Sequence, residues 1–414
     1  MQDQSLQKET LKHTFFFSDF HLQFLSWFPN NNLDVVSNDT HWKRDEACVE
    51  KLTDYNFHMV KLVKTSASPS SNTEKMSKRK QEEASLSDSS IEQKKTKSED
   101  VAAASSSSDD ENPILTKLKT LDQSSEFKTI KEFEDAFASV TDYLFNQTEL
   151  VVKDKTYRLA EVEYYYTCPP VHNDPFSHCH DLQATKGEWY FHQSLAKTND
   201  NNYKGGSYQG LDISIGCGKF RGGILIRSLL KSDGKTLIEG PSKCVDEIIE
   251  TYDCKNIHDF VTKHFKGQKH FQALDTKSVF HLRPSTTTHT DTVVRSARVG
   301  LTLKQKTQEK ERVQYIFRPY RFCLVPQKMK KGKHLICIIL YKELQAKGEK
   351  DPIKKVETMT GSSGLAKYFK TYEAKSSDAF ESVDKIDTSK LGDYSKDFTT
   401  QQIYELGGIL KNIY

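Results

Sequence analysis

The spacing of hydrophobic positions along the 414-residue chain changes with region. From Phe127 to Leu144 they recur every three or four residues, at Phe127, Ile130, Phe133, Phe137, Val140 and Leu144, which predicts an amphipathic helix. From Tyr157 the period drops to two. Strands are predicted at Tyr157 to Tyr166, Leu211 to Ile215, Ile224 to Leu230, Tyr315 to Val325 and Leu335 to Tyr341. Among them one helix stands out. It starts at Gly240-Pro241-Ser242, where proline suits a first-turn position that has no N–H partner to lose, and it buries Val245, Ile248, Ile249 and Tyr252. The pattern reads as α+β, a curved and mostly antiparallel sheet with flanking helices over 113–341. From 342 to 414 the chain is Lys-rich, with helical spacing at Leu365, Tyr368, Phe369 and Tyr372, and reads as a peripheral helical tail.

Upstream the pattern fails. Between Phe57 and Phe127 there is no aromatic residue, and 14 of the 48 residues from 65 to 112 are serine. Such a segment cannot bury enough apolar surface to offset the entropy of ordering, so it reads as a disordered linker. It carries Lys78-Arg79-Lys80 and Lys94-Lys95-Thr96-Lys97, which read equally well as a bipartite nuclear import signal or as ordinary charge in a solvated tail. Residues 1–64 are aromatic-rich without clear periodicity and are assigned no function. The linker and tail account for a hydrophobic fraction of only 36%. The longest apolar run, Leu335 to Leu340, is far below the roughly 18 residues of a membrane span, so no membrane partner is expected. Eight cysteines without regular spacing do not form a disulfide framework.

Charge on the strands is where chemistry enters. In Tyr157 to Tyr166, alternation puts Leu159, Glu161, Glu163 and Tyr165 on one face, with the two carboxylates about 6.6 Å apart. Facing solvent, which alternation alone favours, they are ordinary surface acids. Facing the interior, at least one has a raised pKa and becomes a candidate general base. Arg227 lies between Leu225 and Leu229 on one strand face, and a buried guanidinium requires a carboxylate partner. Asp212 and Ser214 similarly oppose three aliphatics in Leu211 to Ile215. Glu163, Arg227 and Asp212 therefore form either a structural ion-pair group or a polar site on the concave face of the sheet.

Two further segments stand out. Cys168 to His180 holds Cys168, His172, Asp174, His178, Cys179 and His180, but without CxxC or HExxH the spacing matches no standard zinc site, and no metal or other cofactor is expected. His178 and His192 are better read as polar or stacking members of a pocket. From Arg295 to Lys333, 12 Lys/Arg face only Glu309 and Glu311, interleaved with Tyr315, Phe317, Tyr320 and Phe322. Cations mixed with aromatics suit phosphates and bases; a solvated basic loop is the alternative. The whole chain, with 60 Lys+Arg against 57 Asp+Glu and a net charge of +3, conceals this local excess.

Read in order, these pieces resemble the methylpurine (3-methyladenine, alkyladenine-type) DNA glycosylases. Ala160-Glu161-Val162-Glu163-Tyr164-Tyr165 is similar to the family's Val-Glu-Thr-Glu-Ala-Tyr strand, and Asn173 to His178 to its Glu-Asp-x-Ala-x-His loop. Leu211-Asp212-Ile213-Ser214 resembles Met-Asn-Ile-Ser, and Leu225-Ile226-Arg227-Ser228-Leu229 resembles Leu-Leu-Arg-Ala-Leu. Gly240-Pro241-Ser242-Lys243 repeats a helix start. Arg298-Val299-Gly300-Leu301 and Arg318-Pro319-Tyr320-Arg321-Phe322 are similar to Arg-Val-Gly-Val and Lys-Pro-x-Arg-Phe. The resemblance covers about 155 to 325.

The resemblance implies a hydrolase of N-glycosyl bonds that flips and excises a modified purine. Glu163 would activate a water held with Arg227 and the Val299 carbonyl. Tyr165, His178, His192 and Asp212 would surround the base, and Arg298, Arg318 and Arg321 would contact nucleic acid, expected to be duplex DNA bound by a monomer. The protein would sit in the nucleus if the basic clusters between 78 and 97 act as an import signal, and otherwise in the cytoplasm. The alternative on the same fold is a non-catalytic nucleic-acid-binding module. The chain departs from the family in three places. A polar insert, about Ser194 to Gln209, replaces a Tyr-Gly wedge; an Arg/Gly-rich loop is missing; and Asp212 replaces an asparagine.

Overall fold

The computed structural model describes residues 112–194, 202–304, 309–391 and 397–414, all within the unit formed by residues 103–414. Segment 1–64, linker positions 65–111 and both basic clusters lie outside the described residues.

The described chain is α+β around one ten-stranded sheet. Its strands are β1 (Thr148–Val152), β2 (Lys155–Cys168), β3 (His172–Asn173), β4 (Trp189–Phe191), β5 (Leu211–Ser214), β6 (Arg221–Lys231), β7 (Leu237–Glu239), β8 (Phe280–Pro284), β9 (Val294–Ser296) and β10 (Arg321–Cys323). The main path runs β4-β5-β6-β2-β1-β8, with β7 on β6, β3 and β10 on β2, and β9 on β10. The described pairings are antiparallel. The long strand β2 organises the sheet: β6 runs along one side of it, while β1 and β10 share the other.

Helices α1 (Pro113–Lys119) and α2 (Ile130–Asn146) precede the sheet. A reciprocal capping box between Thr129 and Glu132 starts α2, satisfying two otherwise orphan N–H donors. The predicted stripe Phe133, Phe137, Val140 and Leu144 is buried. Phe137 stacks on Tyr164 at 4.4 Å between centroids, so α2 seats on the sheet face carrying the opposed apolar row Ile213, Ile224 and Tyr164. Helices α3 (Pro241–Thr251) and α4 (Ile257–Phe265) follow β7, and α3 begins at the expected proline.

The C-terminal half differs from expectation. Tyr315 lies in helix α5 (Glu309–Ile316), leaving only Arg321–Cys323 of that predicted strand. Leu335 to Tyr341 is helix, part of α6 (Lys333–Ala346). A helix buried on nearly all sides loses its amphipathic signal and reads as a strand run. Residues 342–414 are not peripheral. Helices α7 (Pro352–Thr360), α8 (Ala366–Ser376) and α9 (Thr400–Ile409) pack with α6 around a core of Ile336, Phe369, Tyr372, Tyr404 and Leu406 that reaches Val294 and Cys323 of β9 and β10.

Candidate functional site

One row of directly opposed residues crosses the face of the sheet opposite α2. Tyr190 opposes Asp212, Asp212 opposes Leu225, Leu225 opposes Glu163, Glu163 opposes Arg321, and Arg321 opposes Ser296. Opposed residues in antiparallel strands share a face, so this register gathers three charged side chains from three strands. The adjoining part of β2 and β6 is irregular. Leu159 opposes Leu229, then Glu161 opposes Ser228, then Val162 opposes Ile226. Ala160 on one strand and Arg227 on the other are left unopposed, and the two offsets compensate. Bulges re-aim side chains, and here Arg227 ends up between two carboxylates.

Those carboxylates are interior, not solvent-facing. Arg227 donates through Nε to Glu161 at 3.0 Å and through an Nη to Glu163 at 3.3 Å. Arg321 donates through Nε to Glu161 at 2.7 Å, and Ser228 donates to it as well. The remaining guanidinium donors of Arg321 meet the carbonyls of Gly332 (3.1 Å) and Lys331 (2.9 Å). Glu163 also accepts from the Val299 backbone N–H at 2.7 Å and from the Tyr165 hydroxyl at 2.8 Å. Side-chain exposures of 0% for Glu163 and Arg321, 1% for Glu161 and 7% for Arg227 make this a dry tetrad of two acids and two bases. Burial alone would raise the Glu161 pKa, but Arg321 and Arg227 outweigh it and hold the group below the usual glutamate range. The raised pKa expected of an interior carboxylate is not found there. Tyr165 moves the other way, raised by burial and by the Glu163 charge, so it stays a proton donor to Glu163.

A second cluster lies two strands away. Asp212 accepts from Gln183 at 2.8 Å and pairs with His192 Nε2 at 2.9 Å; it does not neutralise Arg227. His178 stacks on His192 at 5.8 Å, and the Lys204 ammonium lies 3.3 Å from His178 Nε2. Partial burial of the His178 ring, reinforced by that ammonium, pulls its pKa down to about 4. Close backbone approach shapes this end. A Cβ on Gly223 would sit 2.6 Å from an Asp212 oxygen, and one on Gly210 2.7 Å from the His192 ring.

The expected nucleic-acid contacts require correction. Arg298 is buried in a bidentate pair with Asp174 (2.5 and 3.0 Å), with its guanidinium 4.7 Å from the Tyr165 ring centroid. Arg321 belongs to the tetrad, and Arg318 is held by Glu134 at 3.3 Å. The arginines between 295 and 333 are drawn into ion pairs or the interior, while most of the described lysines there stay at the surface. Arg295 pairs with Glu343 and Lys304 with Asp397, while Tyr315, Phe317, Tyr320 and Phe322 are core. Lys330 and Lys331 are exposed. In Cys168 to His180, Cys168 and His172 are buried and Cys179 is exposed. Among the described residues, no three of His, Cys, Asp and Glu converge as a metal site would require.

Sequence reasoning overlooked several participants. Arg321 was singled out only as a nucleic-acid contact, whereas its place is beside Glu161. Gln183 and Lys204 carry no sequence signal, because loops bring them in. Tyr208, at 78% the more exposed of two large hydrophobic residues at the described surface, lies three residues before β5, inside the insert read as merely polar.

The chain is similar to an uncharacterized protein of Acanthamoeba polyphaga mimivirus, 28% identical over 213 residues that cover 48% of this chain and 91% of the relative. No family model matches the chain. No solved structure matches it.

Proposed function

We propose that the domain is a methylpurine-glycosylase-like fold and that the protein hydrolyses the N-glycosyl bond of a modified purine extruded from duplex DNA. One observation carries this reading: Glu163, Arg227 and Val299, separated by up to 136 residues, meet within hydrogen-bond distance on one sheet face. A base stacked in duplex is out of reach at its sugar bond, so the enzyme must take it into a pocket. A carboxylate fixed by three donors is pre-organised to orient the attacking water and to offset positive charge developing on the sugar. Tyr165 and the stacked His178–His192 pair offer ring faces for the base on either side of Leu225 and Asp212. With the arginines turned inward, phosphate attraction falls to surface lysines such as Lys330 and Lys331.

The test is base release from duplexes carrying a broad panel of alkylated and deaminated purines. Release by the native protein, abolished in Glu163→Gln with duplex binding retained, is the expected result. No release from any duplex of the panel overturns it. A second reading, a binding module without chemistry, draws on the complete burial of Glu163. It predicts salt-sensitive binding that survives Glu163→Gln unchanged, with no base lost.

A further inference from the structure

The cluster around Asp212 contains a group for which the reaction above has no use. Lys204 is firmly seated: its backbone N–H donates to the His192 carbonyl at 2.8 Å, and the neighbouring Tyr203 bridges to Gln193, extending the β4 edge. The side chain points to His178, with Nζ 3.3 Å from Nε2. Among the described residues it has no carboxylate within ion-pair distance. A half-buried lysine with an imidazole as its hydrogen-bond partner, instead of a carboxylate, is not locked in the ammonium form. Burial lowers its pKa against the opposing charge of Asp212, and His178 faces it through Nε2 with no negative charge to hold the ammonium form. This is the environment in which lysine amines attack carbonyl carbon.

We propose that Lys204 is an amine nucleophile toward the aldehyde of an abasic deoxyribose, giving the protein a strand-cleaving lyase activity. The Nζ lone pair forms a bond to the C1′ aldehyde carbon while the carbonyl oxygen takes up a proton. Loss of water from the carbinolamine leaves a protonated imine. The iminium acidifies C2′; its proton passes to water, and the C–H electron pair forms the C2′=C3′ double bond as the C3′–O bond breaks and its pair leaves on the phosphate oxygen, releasing the strand that begins with a 5′ phosphate. Water hydrolyses the imine and restores the amine. The sequence is redox-neutral and uses no metal. It rests on the N-glycosyl reading only for the source of the aldehyde, which the experiment supplies preformed.

The full-length protein is incubated with a duplex carrying one preformed abasic site and treated with sodium borohydride, which reduces the imine to a stable amine. Proteolysis and mass spectrometry then locate the adduct. A covalent adduct on the peptide containing Lys204, lost in Lys204→Arg and kept in Lys243→Arg, is expected; arginine keeps the positive charge and removes the nucleophile. No adduct in the native protein, an adduct on another lysine, or one undiminished in Lys204→Arg overturns the proposal. Mapping the native adduct gives the answer even if a variant fails to fold. Base release is measured separately on the lesion panel. Trapping without release refutes the glycosylase reading alone, and release without trapping refutes only the lyase.

Discussion

Two polar clusters share one face of the sheet, and they are built on opposite principles. In the tetrad of Glu161, Arg227, Glu163 and Arg321, two negative and two positive groups cancel, and neighbouring carbonyls, a hydroxyl and a backbone N–H take up further hydrogen bonds. The cluster around Asp212 mixes one carboxylate, an amide, two imidazoles and an ammonium, and its outer members reach solvent. Sealed charge is tolerable only when balanced and fully bonded. That requirement fixes geometry to a fraction of an ångström and leaves little freedom for recognition. The outer cluster bears no such requirement, so it is where a ligand's own groups can complete the bonding.

The sharpest way to break this contrast is to remove one member of each cluster. Glu161→Ala leaves Arg321 and half of Arg227 without a counter-charge, and a broken buried pair costs about 3–5 kcal/mol. Asp212→Asn keeps an oxygen acceptor for Gln183 and turns its amide NH2 toward His192 Nε2, which accepts in its other neutral tautomer, at a cost of about 1 kcal/mol. Urea unfolding of both variants checks the pair. Equal losses would show that the clusters are equally sealed. The Glu161 contribution also has a sign in pH. Its folded pKa lies below the unfolded value, so its stabilisation is complete above the unfolded pKa and disappears as pH falls through the folded one.

Two histidines repeat the contrast between sealed and open. His172 and His178 are both drawn down to about 4, each chiefly by burial. His172 lies fully inside, with Nδ1 3.0 Å from the Tyr166 carbonyl and Nε2 2.9 Å from the Tyr320 hydroxyl. Nδ1–H must donate to the carbonyl, so Nε2 accepts from Tyr320, and the neutral ring is fully satisfied. The unfolded chain binds a proton near 6.5 and the folded one only near 4, so stability is whole above pH 6.5 and declines as pH falls toward 4. The decline amounts to about 3 kcal/mol at most. Melting temperatures across that range should flatten in His172→Gln and flatten less in His178→Ala, whose ring reaches solvent.

Much of the sheet was legible because its strands have one apolar face. Leu211 to Ile215 and Ile224 to Leu230 announce themselves through aliphatics on alternate positions, and Arg227 is conspicuous among them for the same reason. The C-terminal helices were not, because α6 is apolar on nearly all sides and erases the very periodicity that identifies a helix. The tetrad was half visible. Glu163 and Arg227 could be paired by charge and burial, but the compensating bulges at Ala160 and Arg227 that aim them are properties of strand register, which no single strand encodes. The arginines at 298, 318 and 321 were misread because a count of local charge cannot tell a guanidinium facing phosphate from one facing a buried carboxylate.

The smallest expected effect concerns the open side alone. Tyr208 projects from a short 3-10 turn, Gly206–Tyr208, whose glycine at φ 59° permits the left-handed bend. The turn is not loose, because the next residue, Gln209, donates from its side-chain amide to the Ser242 carbonyl at 3.0 Å and to Asp246 in the middle of α3. An aromatic ring held out into water by an anchored loop buries nothing of its own fold, so Tyr208→Ala should leave unfolding stability within about 0.5 kcal/mol. A ring stacking on a base contributes about 1–3 kcal/mol, and duplex affinity measured at fixed salt should fall by that much. If affinity holds and stability falls instead, Tyr208 packs against the protein itself, and the division between a sealed charge cluster and an open recognition side loses one of its two sides.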